Sequence, residues 1–384
     1  MTKATALYPK ILILGLGDTG VLVAVGLSKY FDVVAVSPRP FFLTAQNLGA
    51  RLAWPDAWER VAKITTRRFK KLDDVRIVHG IAESVDFGEN TVMIRGAGGE
   101  TQQEGFDALV IATGAENGFW RRTRLETWAE EAQVRMLERA PLDAGNRVAI
   151  VGGGASGVSA ACGIAERYSE KSVTLCFSGD RILPDFPERV SRDITKRLTE
   201  LGVQLRSGHR AILPTLDDAP SIKPGRLDWE GGQAALEADA IIWTLGRQSP
   251  NSSFLPRAVL NPQGFVRVRD TLQLADHDHV FCVGDLAQTD PYRSSARNDG
   301  ASIVVHNVKS AFKLHRKPFR VFKAPSAKWG EVVTSPKSGM HLYAPGGRRL
   351  RFSPWVVDRV IFDLIQFRMI WGGLRKREQD QKAK

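Results

Sequence analysis

A strand-sized apolar run that ends in a glycine-rich turn and opens a helix occurs twice in this chain of 384 residues. The first copy spans residues 10–26, where Ile11-Leu12-Ile13-Leu14 runs into Gly15-Leu16-Gly17-Asp18-Thr19-Gly20 and a helix-like stretch. In such a turn Gly15 permits the tight reversal and Gly17 lets a pyrophosphate approach the backbone. Gly20 lets the helix pack against the strand while its first amides face the phosphates. A second apolar strand over residues 32–36 follows at the distance this unit requires. The second copy reads Val148-Ala149-Ile150-Val151, then Gly152-Gly153-Gly154-Ala155-Ser156-Gly157, a helix to Tyr168 and a strand over residues 172–177. Two such units are far more specific than one, and they predict an α/β chain with two Rossmann-like dinucleotide-binding domains.

The duplication extends past the glycines. A buried strand over residues 107–114 ends in Thr113-Gly114, and residues 238–246 end in Trp243-Thr244-Leu245-Gly246 in the corresponding place of the second unit. Later, His279-Val280-Phe281-Cys282-Val283-Gly284-Asp285 is a short apolar strand ending in a carboxylate, before a helical stretch from about residue 296 to 313. Asp285 alone reads as a helix cap; beside two dinucleotide units it reads as a ligand-binding acid.

An apolar content of 43% and a charged content of 25% suit two ordinary cores. Cys162, Cys176 and Cys282 stand apart in apolar surroundings, which predicts core residues and excludes a disulfide-reducing pair. The seven histidines show no metal-ligand spacing. No apolar leader opens the chain, so folding in the cytosol is expected, and Thr2 after Met1 excludes N-myristoylation. Charge is uneven: residues 301–384 carry 18 Lys plus Arg against 5 Asp plus Glu, whereas residues 1–300 carry 36 against 37. A basic end on a neutral body points to an anionic partner, either a membrane or a nucleic acid.

The order of these motifs over residues 10–315 resembles the two-dinucleotide-binding-domain flavoproteins, the superfamily of glutathione reductase, apoptosis-inducing factor and type II NADH dehydrogenases. Within it the likeness is strongest to the apoptosis-inducing-factor-2 or ferroptosis-suppressor group, with type II NADH dehydrogenases next. It is carried by Val151-Gly152-Gly153-Gly154-Ala155-Ser156-Gly157-Val158, Ser169-Glu170-Lys171-Ser172-Val173-Thr174-Leu175, Leu201-Gly202-Val203-Gln204-Leu205 and the Gly284-Asp285 strand.

The resemblance implies an FAD domain in two parts, residues 1–118 and 251–318, split by an inserted NAD(P)H domain over residues 119–250. A small C-terminal α+β region over residues 319–384 follows. It places FAD against Gly15, Gly17, Asp18, Thr19, Gly20, Ser37, Pro38, Arg39, Thr113, Gly114, Gly284 and Asp285. It places NADH or NADPH against Gly152, Gly154, Ala155, Ser156, Gly157 and Gly246. Hydride transfer to flavin needs no side-chain nucleophile, so no catalytic residue is named.

Three positions depart from the family pattern. The strand that usually ends in a ribose-binding acid reads Val36-Ser37-Pro38-Arg39, with Arg39 toward the adenosine side. In the second unit Gly157-Val158-Ser159 replaces a usual Gly-Val-Glu, and Phe177-Ser178 stands where an acid is common. Arg181 is either a partner for a 2′-phosphate or a surface arginine of a loop, so the choice between NADH and NADPH stays open.

Family members implied by the resemblance reduce quinones, and the C-terminal end suits that acceptor. Between Arg348-Arg349-Leu350-Arg351 and Arg375-Lys376-Arg377, the α-helical period puts Val357, Val360, Ile361, Leu364, Phe367 and Trp371 on one face. The segment is too short and charged to span a bilayer. It predicts a basic amphipathic helix over residues 346–384 on an anionic membrane surface, hence a cytoplasmic, peripherally membrane-associated enzyme. A C-terminal helix packed on its own core fits the same period. Other open readings are a flavin reductase with an electron-carrier protein or monodehydroascorbate as acceptor, and a nucleotide-bound sensor or nucleic-acid-binding effector, for which no recognised motif speaks.

Overall fold

The computed structural model describes residues 8–44, 48–116, 124–213, 222–246, 249–289 and 299–376. Its first sheet is built on Lys10–Leu14, which lies between Asp32–Ser37 and Ala108–Ile111 with both pairings parallel. Val75–Asp86 extends the sheet beyond Asp32–Ser37, and His277–Cys282 extends it beyond Ala108–Ile111, again parallel. The late strand that ends before Gly284-Asp285 thus returns to the first unit. Antiparallel strands complete the edges: Gln273–Leu274 on one side, Thr91–Gly96 and Thr101–Gly105 on the other.

Parallel strands covered on both faces need continuous apolar runs. Ile11 and Ile13 pack with Val21, Ala24 and Leu27 of the helix Asp18–Leu27 and with Val304 and Val308 of the helix Ala301–Ala311. Leu12 and Leu14 face the other way, onto Val85, Val92, Ile94 and Phe106.

The second sheet has the order Gln204–Arg206, Ser172–Cys176, Arg147–Val151, Leu236–Trp243, Lys223–Leu227, and only the last pairing is antiparallel. Helices Ala155–Arg167 and Glu188–Glu200 cover one face, with Val158, Cys162, Ile194 and Leu198 against Val148 and Ile150. Leu48 and Leu52 of the short helix Leu48–Ala53, and Val332, Val333 and Tyr343 of the C-terminal sheet, join this same core. The second unit is therefore welded to both the first unit and the C-terminal region. Ser249–Pro250 pairs with Ala115–Glu116, where the chain leaves and re-enters the first unit.

The C-terminal region is a three-stranded antiparallel sheet, Gly330–Ser335, Gly339–Tyr343 and Arg349–Phe352. The turn Pro354–Val356 then leads into a helix over Val357–Ile370. This helix is a π-helix, with bonds spanning five residues such as Trp371 N–H to the Gln366 carbonyl at 2.9 Å. The wider turn redistributes the faces that the α-helical period predicts. Val357 and Trp371 are buried, but Leu364 is 43% exposed, together with Ile365, Met369 and Ile370. Arg377 of the basic cluster lies outside the described residues.

Candidate functional site

At the carboxyl edge of the first sheet a cleft of about 460 Å³ is lined by every residue predicted to hold FAD except Gly20: Gly15, Gly17, Asp18, Thr19, Ser37, Pro38, Arg39, Thr113, Gly114, Gly284 and Asp285. Gly20 acts behind the cleft, where a Cβ would lie 1.8 Å from the Gly15 carbonyl oxygen, so only glycine lets this helix seat on its strand. Gly15 has φ of +97°, and its own Cβ would meet the Ala112 oxygen at 2.6 Å. Gly17 and Gly114 have no atom within 4 Å of the position of a Cβ, so the backbone there is open to a ligand. Gly17 precedes the first residue of Asp18–Leu27, and the free amides of that first turn point at an anion. A diphosphate fits this cradle, and the long cleft on both sides of it fits the rest of FAD.

Tertiary contacts hold the rim. Thr113 Oγ1 donates to the Asn251 carbonyl at 2.8 Å, and Asn251 Nδ2 donates to the Thr113 carbonyl at 3.0 Å, fixing the turn that ends in Gly114. Gly284, at φ +83°, sits with its would-be Cβ 3.0 Å from Thr19 Oγ1, which lays Asp285 beside the helix start. Arg39 does face the cleft, but its Nε donates to Glu126 at 2.6 Å. Arg124 bonds the other oxygen of Glu126 at 2.7 Å, and the Glu126 amide bonds the Pro38 carbonyl at 3.0 Å. An acid therefore reaches the end of the second strand from 87 residues away, where the strand itself has only Ser37. Thr44, Gly80, Ile81, Ala82, Asn251 and Phe254 also line the cleft and carry no sequence signal for it.

The second unit repeats the geometry. Gly152 has φ of +122° with a would-be Cβ 2.2 Å from the Thr244 oxygen, and a Cβ on Gly157 would lie 1.9 Å from the Gly152 oxygen. Thr244 Oγ1 donates to the Val151 carbonyl at 2.8 Å and closes the turn. Gly154 and Gly246 are open, with nothing within 4 Å of a Cβ, and Ala155 and Ser156 start the helix whose amides face that space. Ser159 does not face it. Its hydroxyl accepts the Gly49 amide at 3.1 Å and ties the two units together. Arg181 belongs to its own loop, donating to the carbonyls of Leu183, Pro184 and Phe186.

A further cavity of about 320 Å³ lies between the first unit and the C-terminal region. Ala50, Trp58, Val61, Met340, Leu342, Val357, Ile361 and Phe362 give it an apolar wall, with Arg60, Glu331, Thr334, Ser335, Asp358 and Gln366 at its polar points. Asp18 and Thr44 line both this cavity and the first cleft, so the two spaces meet there. The π-helix forms one side of the cavity, pinned by Arg60 to Asp358 at 2.5 Å and by Trp371 packed edge-on against Phe42 at 5.0 Å.

Thiol chemistry has no place in either space. All three cysteines are buried, and burial pushes the Cys162 thiol up to about 12 and the Cys176 thiol up to about 11. Among the described residues no group of three or more metal-ligating side chains converges, and no helix is long and apolar enough to cross a membrane.

Comparison with known proteins agrees with this architecture. The chain is 38% identical over 161 residues to Fe-regulated protein 8 of Mycosarcoma maydis, covering 42% of this chain and 37% of that protein. It is 26% identical over 305 residues to demethylphylloquinone reductase NdbB of Synechocystis, covering 73% and 72%, respectively. It is 26% identical over 258 residues to human ferroptosis suppressor protein 1, covering 64% and 65%. Among solved structures, the sulfide:quinone oxidoreductase of Aquifex aeolicus superposes with a TM-score of 0.67 at 15% identity, over 97% of this chain and 94% of that one, and shares the fold. The family model for pyridine nucleotide-disulphide oxidoreductases matches residues 3–309. The chain belongs to the pyridine nucleotide-disulphide oxidoreductase family, an enzyme family that uses FAD and NAD(P)H.

Proposed function

We propose that this protein oxidises NADH or NADPH and reduces a lipophilic quinone at an anionic membrane surface. Bound FAD supplies the ring system that takes up hydride and gives electrons up again. The chain supplies position and environment. Residues 1–118 and 251–318 form the FAD unit, in which the amides after Gly17 hold the pyrophosphate and Asp285 accepts hydrogen bonds from ribityl hydroxyls. Residues 119–250 hold the nicotinamide nucleotide at the amides after Gly154, with Gly246 leaving room at the opposite wall.

The observation that supports the acceptor is the largely apolar cavity that meets the FAD cleft at Asp18 and Thr44. A disulfide acceptor would require a thiol pair that the cleft does not have. Gln366 offers a hydrogen-bond donor to a carbonyl in it, beside the Arg60–Asp358 ion pair. The outer face of the π-helix adds exposed Leu364, Ile365, Met369 and Ile370, with Arg359 and Arg368 beside them and exposed Trp355 in the turn before it. Such a mixture suits the lipid interface, where aromatic and apolar groups enter the acyl boundary and arginines meet anionic headgroups.

The test is anaerobic reduction of the purified, FAD-loaded protein by NADH and by NADPH, followed on the flavin absorption band, with a short-chain quinone then added. Bleaching by nucleotide and recovery with quinone is the expected result. Bleaching without recovery would reject the quinone, and no bleaching would reject the enzyme reading of the second unit.

A further inference from the structure

We infer that residues 313–323 form a second lipid-contact surface, a basic ribbon that docks on anionic phospholipid in addition to the outer face of the π-helix; the inference rests on the membrane reading of the proposed function. The segment reads Lys313-Leu314-His315-Arg316-Lys317-Pro318-Phe319-Arg320-Val321-Phe322-Lys323, and no acid occurs between Gly300 and Gly330. Its five Lys and Arg side chains are exposed, and among the described residues none has an ion-pair partner. Leu314 is 49% exposed, Phe319 36% and Val321 49%, so apolar groups stand among the charges.

The backbone under these side chains is held by the helix Ala301–Ala311. Asn307, fully buried, donates through Nδ2 to the Arg320 carbonyl at 2.9 Å and accepts the Arg320 amide at 2.8 Å. Ser310 Oγ donates to the Lys317 carbonyl at 3.0 Å, and His306 Nε2 donates to the Pro318 carbonyl at 2.9 Å. Asp270 touches the segment through its carbonyl, which accepts the Phe322 amide at 2.8 Å. Phe322 is buried in the core of the first unit, and Phe312 packs edge-on against Phe31 at 5.3 Å. A ribbon fixed in this way loses little conformational entropy on docking.

Charge alone suits any polyanion, and the apolar residues make the choice. A nucleic acid offers nothing to Leu314 and Val321, whereas a bilayer takes them at the acyl boundary while its headgroups take the cations. Tyr30, 39% exposed with Lys309 Nζ 3.9 Å over its ring, adds an amphipathic group of the kind that membrane interfaces favour. The surface also adjoins the exit of the π-helix. Ser28 Oγ donates to the Lys71 carbonyl at 3.0 Å, and the Lys71 side chain lies against Gly372. A single weak contact holds a protein on lipid only marginally, and two on one body reinforce each other.

The experiment is co-sedimentation of the FAD-loaded full chain with vesicles of equimolar phosphatidylcholine and phosphatidylserine, and with vesicles of phosphatidylcholine alone. The parent should bind the first and not the second. Arg316→Glu with Lys317→Glu should weaken binding by about tenfold or more, and Leu314→Ser with Phe319→Ser by about fivefold or more. Both pairs should keep the parental FAD content and thermal midpoint, because these side chains are exposed. Arg210→Glu with Arg226→Glu makes the same change in net charge on the exposed rim of the second unit and should stay within about twofold of the parent. Loss in the charge pair without loss in the serine pair would overturn the lipid assignment in favour of a general polyanion, for which duplex DNA is the probe. If both ribbon pairs bind like the parent, the inference alone falls. A parent that sediments with neither vesicle would remove the membrane reading beneath it as well, while reduction of a soluble quinone would still stand on its own assay.

Discussion

The Gly49 amide donates to Ser159 Oγ at 3.1 Å, joining the first turn of Leu48–Ala53 in one dinucleotide unit to the helix Ala155–Arg167 of the other. The two helices meet backbone to backbone. A Cβ on Gly49 would lie 2.1 Å from the Ser159 carbonyl oxygen, and a Cβ on Gly163 would lie 2.7 Å from the Gly49 carbonyl oxygen. The seam thus sets the distance between the cleft of the first unit and the crevice of the second.

Gly49→Ala should destabilise the protein by about 2–3 kcal/mol, because backbone on both sides must shift to admit one methyl group. Ser159→Ala should cost about 1–2 kcal/mol by leaving the Gly49 amide unpaired. Urea unfolding checks both, and a Gly49→Ala variant as stable as the parent would show that the helices have room to part.

Flavin retention should depend on backbone geometry before side-chain chemistry. Gly15→Ala forces a methyl group to 2.6 Å from the Ala112 oxygen at φ +97°. Gly284→Ala places one 3.0 Å from Thr19 Oγ1 at φ +83°. Both are expected to purify with less than about half the parental flavin, since each strains the cradle by about 1–3 kcal/mol. The ratio of flavin to protein absorption reads the outcome, and full flavin content in both variants would refute it.

The two sides of the π-helix should separate stability from membrane contact. Trp371 is 3% exposed and packs on Phe42 and Phe69 at 5.0 and 5.1 Å, so Trp371→Ala should cost about 3–5 kcal/mol. Met369→Ser together with Ile365→Ser lies on the outer side and should change stability by less than about 0.5 kcal/mol each. The same double variant should sediment poorly with phosphatidylserine vesicles. Unchanged sedimentation would move the lipid contact elsewhere.

His341 predicts a pH dependence of stability. It is 3% exposed, and neither ring nitrogen has a hydrogen-bond partner among the described residues. Burial, then the charges of Arg197, Arg351 and Arg349, hold its pKa down at about 4, with Asp193 opposing. The unfolded chain takes up this proton near the ordinary histidine value of about 6.5, so between there and pH 4 the unfolded state binds more protons. The stability contributed by neutral His341 is complete above that range and is lost as pH falls through it. Thermal midpoints of the parent should drop over this window more steeply than those of His341→Phe, and equal slopes would assign the effect to other groups.

The return of the Gly284-Asp285 strand to the first sheet was implied by the family resemblance, whereas the glycine turns and the parallel strands were legible residue by residue. Each is a local demand: a positive φ, a close approach or a buried strand restricts the residue types at its own position. The FAD residues were named from the family resemblance; all of them line the cleft except Gly20, which supports it from behind.

What only the tertiary structure decided are the partners. Glu126 reaches Arg39 across 87 positions, and Lys63 is wholly buried against Glu131 with its ammonium 3.9 Å over the Trp128 ring, pairings that neither segment announces. The Gly-Val-Ser departure at Ser159 reads as a lost cofactor contact until Gly49 is seen against it. Likewise, the face of the C-terminal helix that meets the core follows from π rather than α winding, which moves Leu364 outward and keeps Trp371 in. Sequence period fixes which residues can share a side. Burial of a charge, or of one helix face, depends on surfaces supplied by distant segments, and those exist only once the chain has folded.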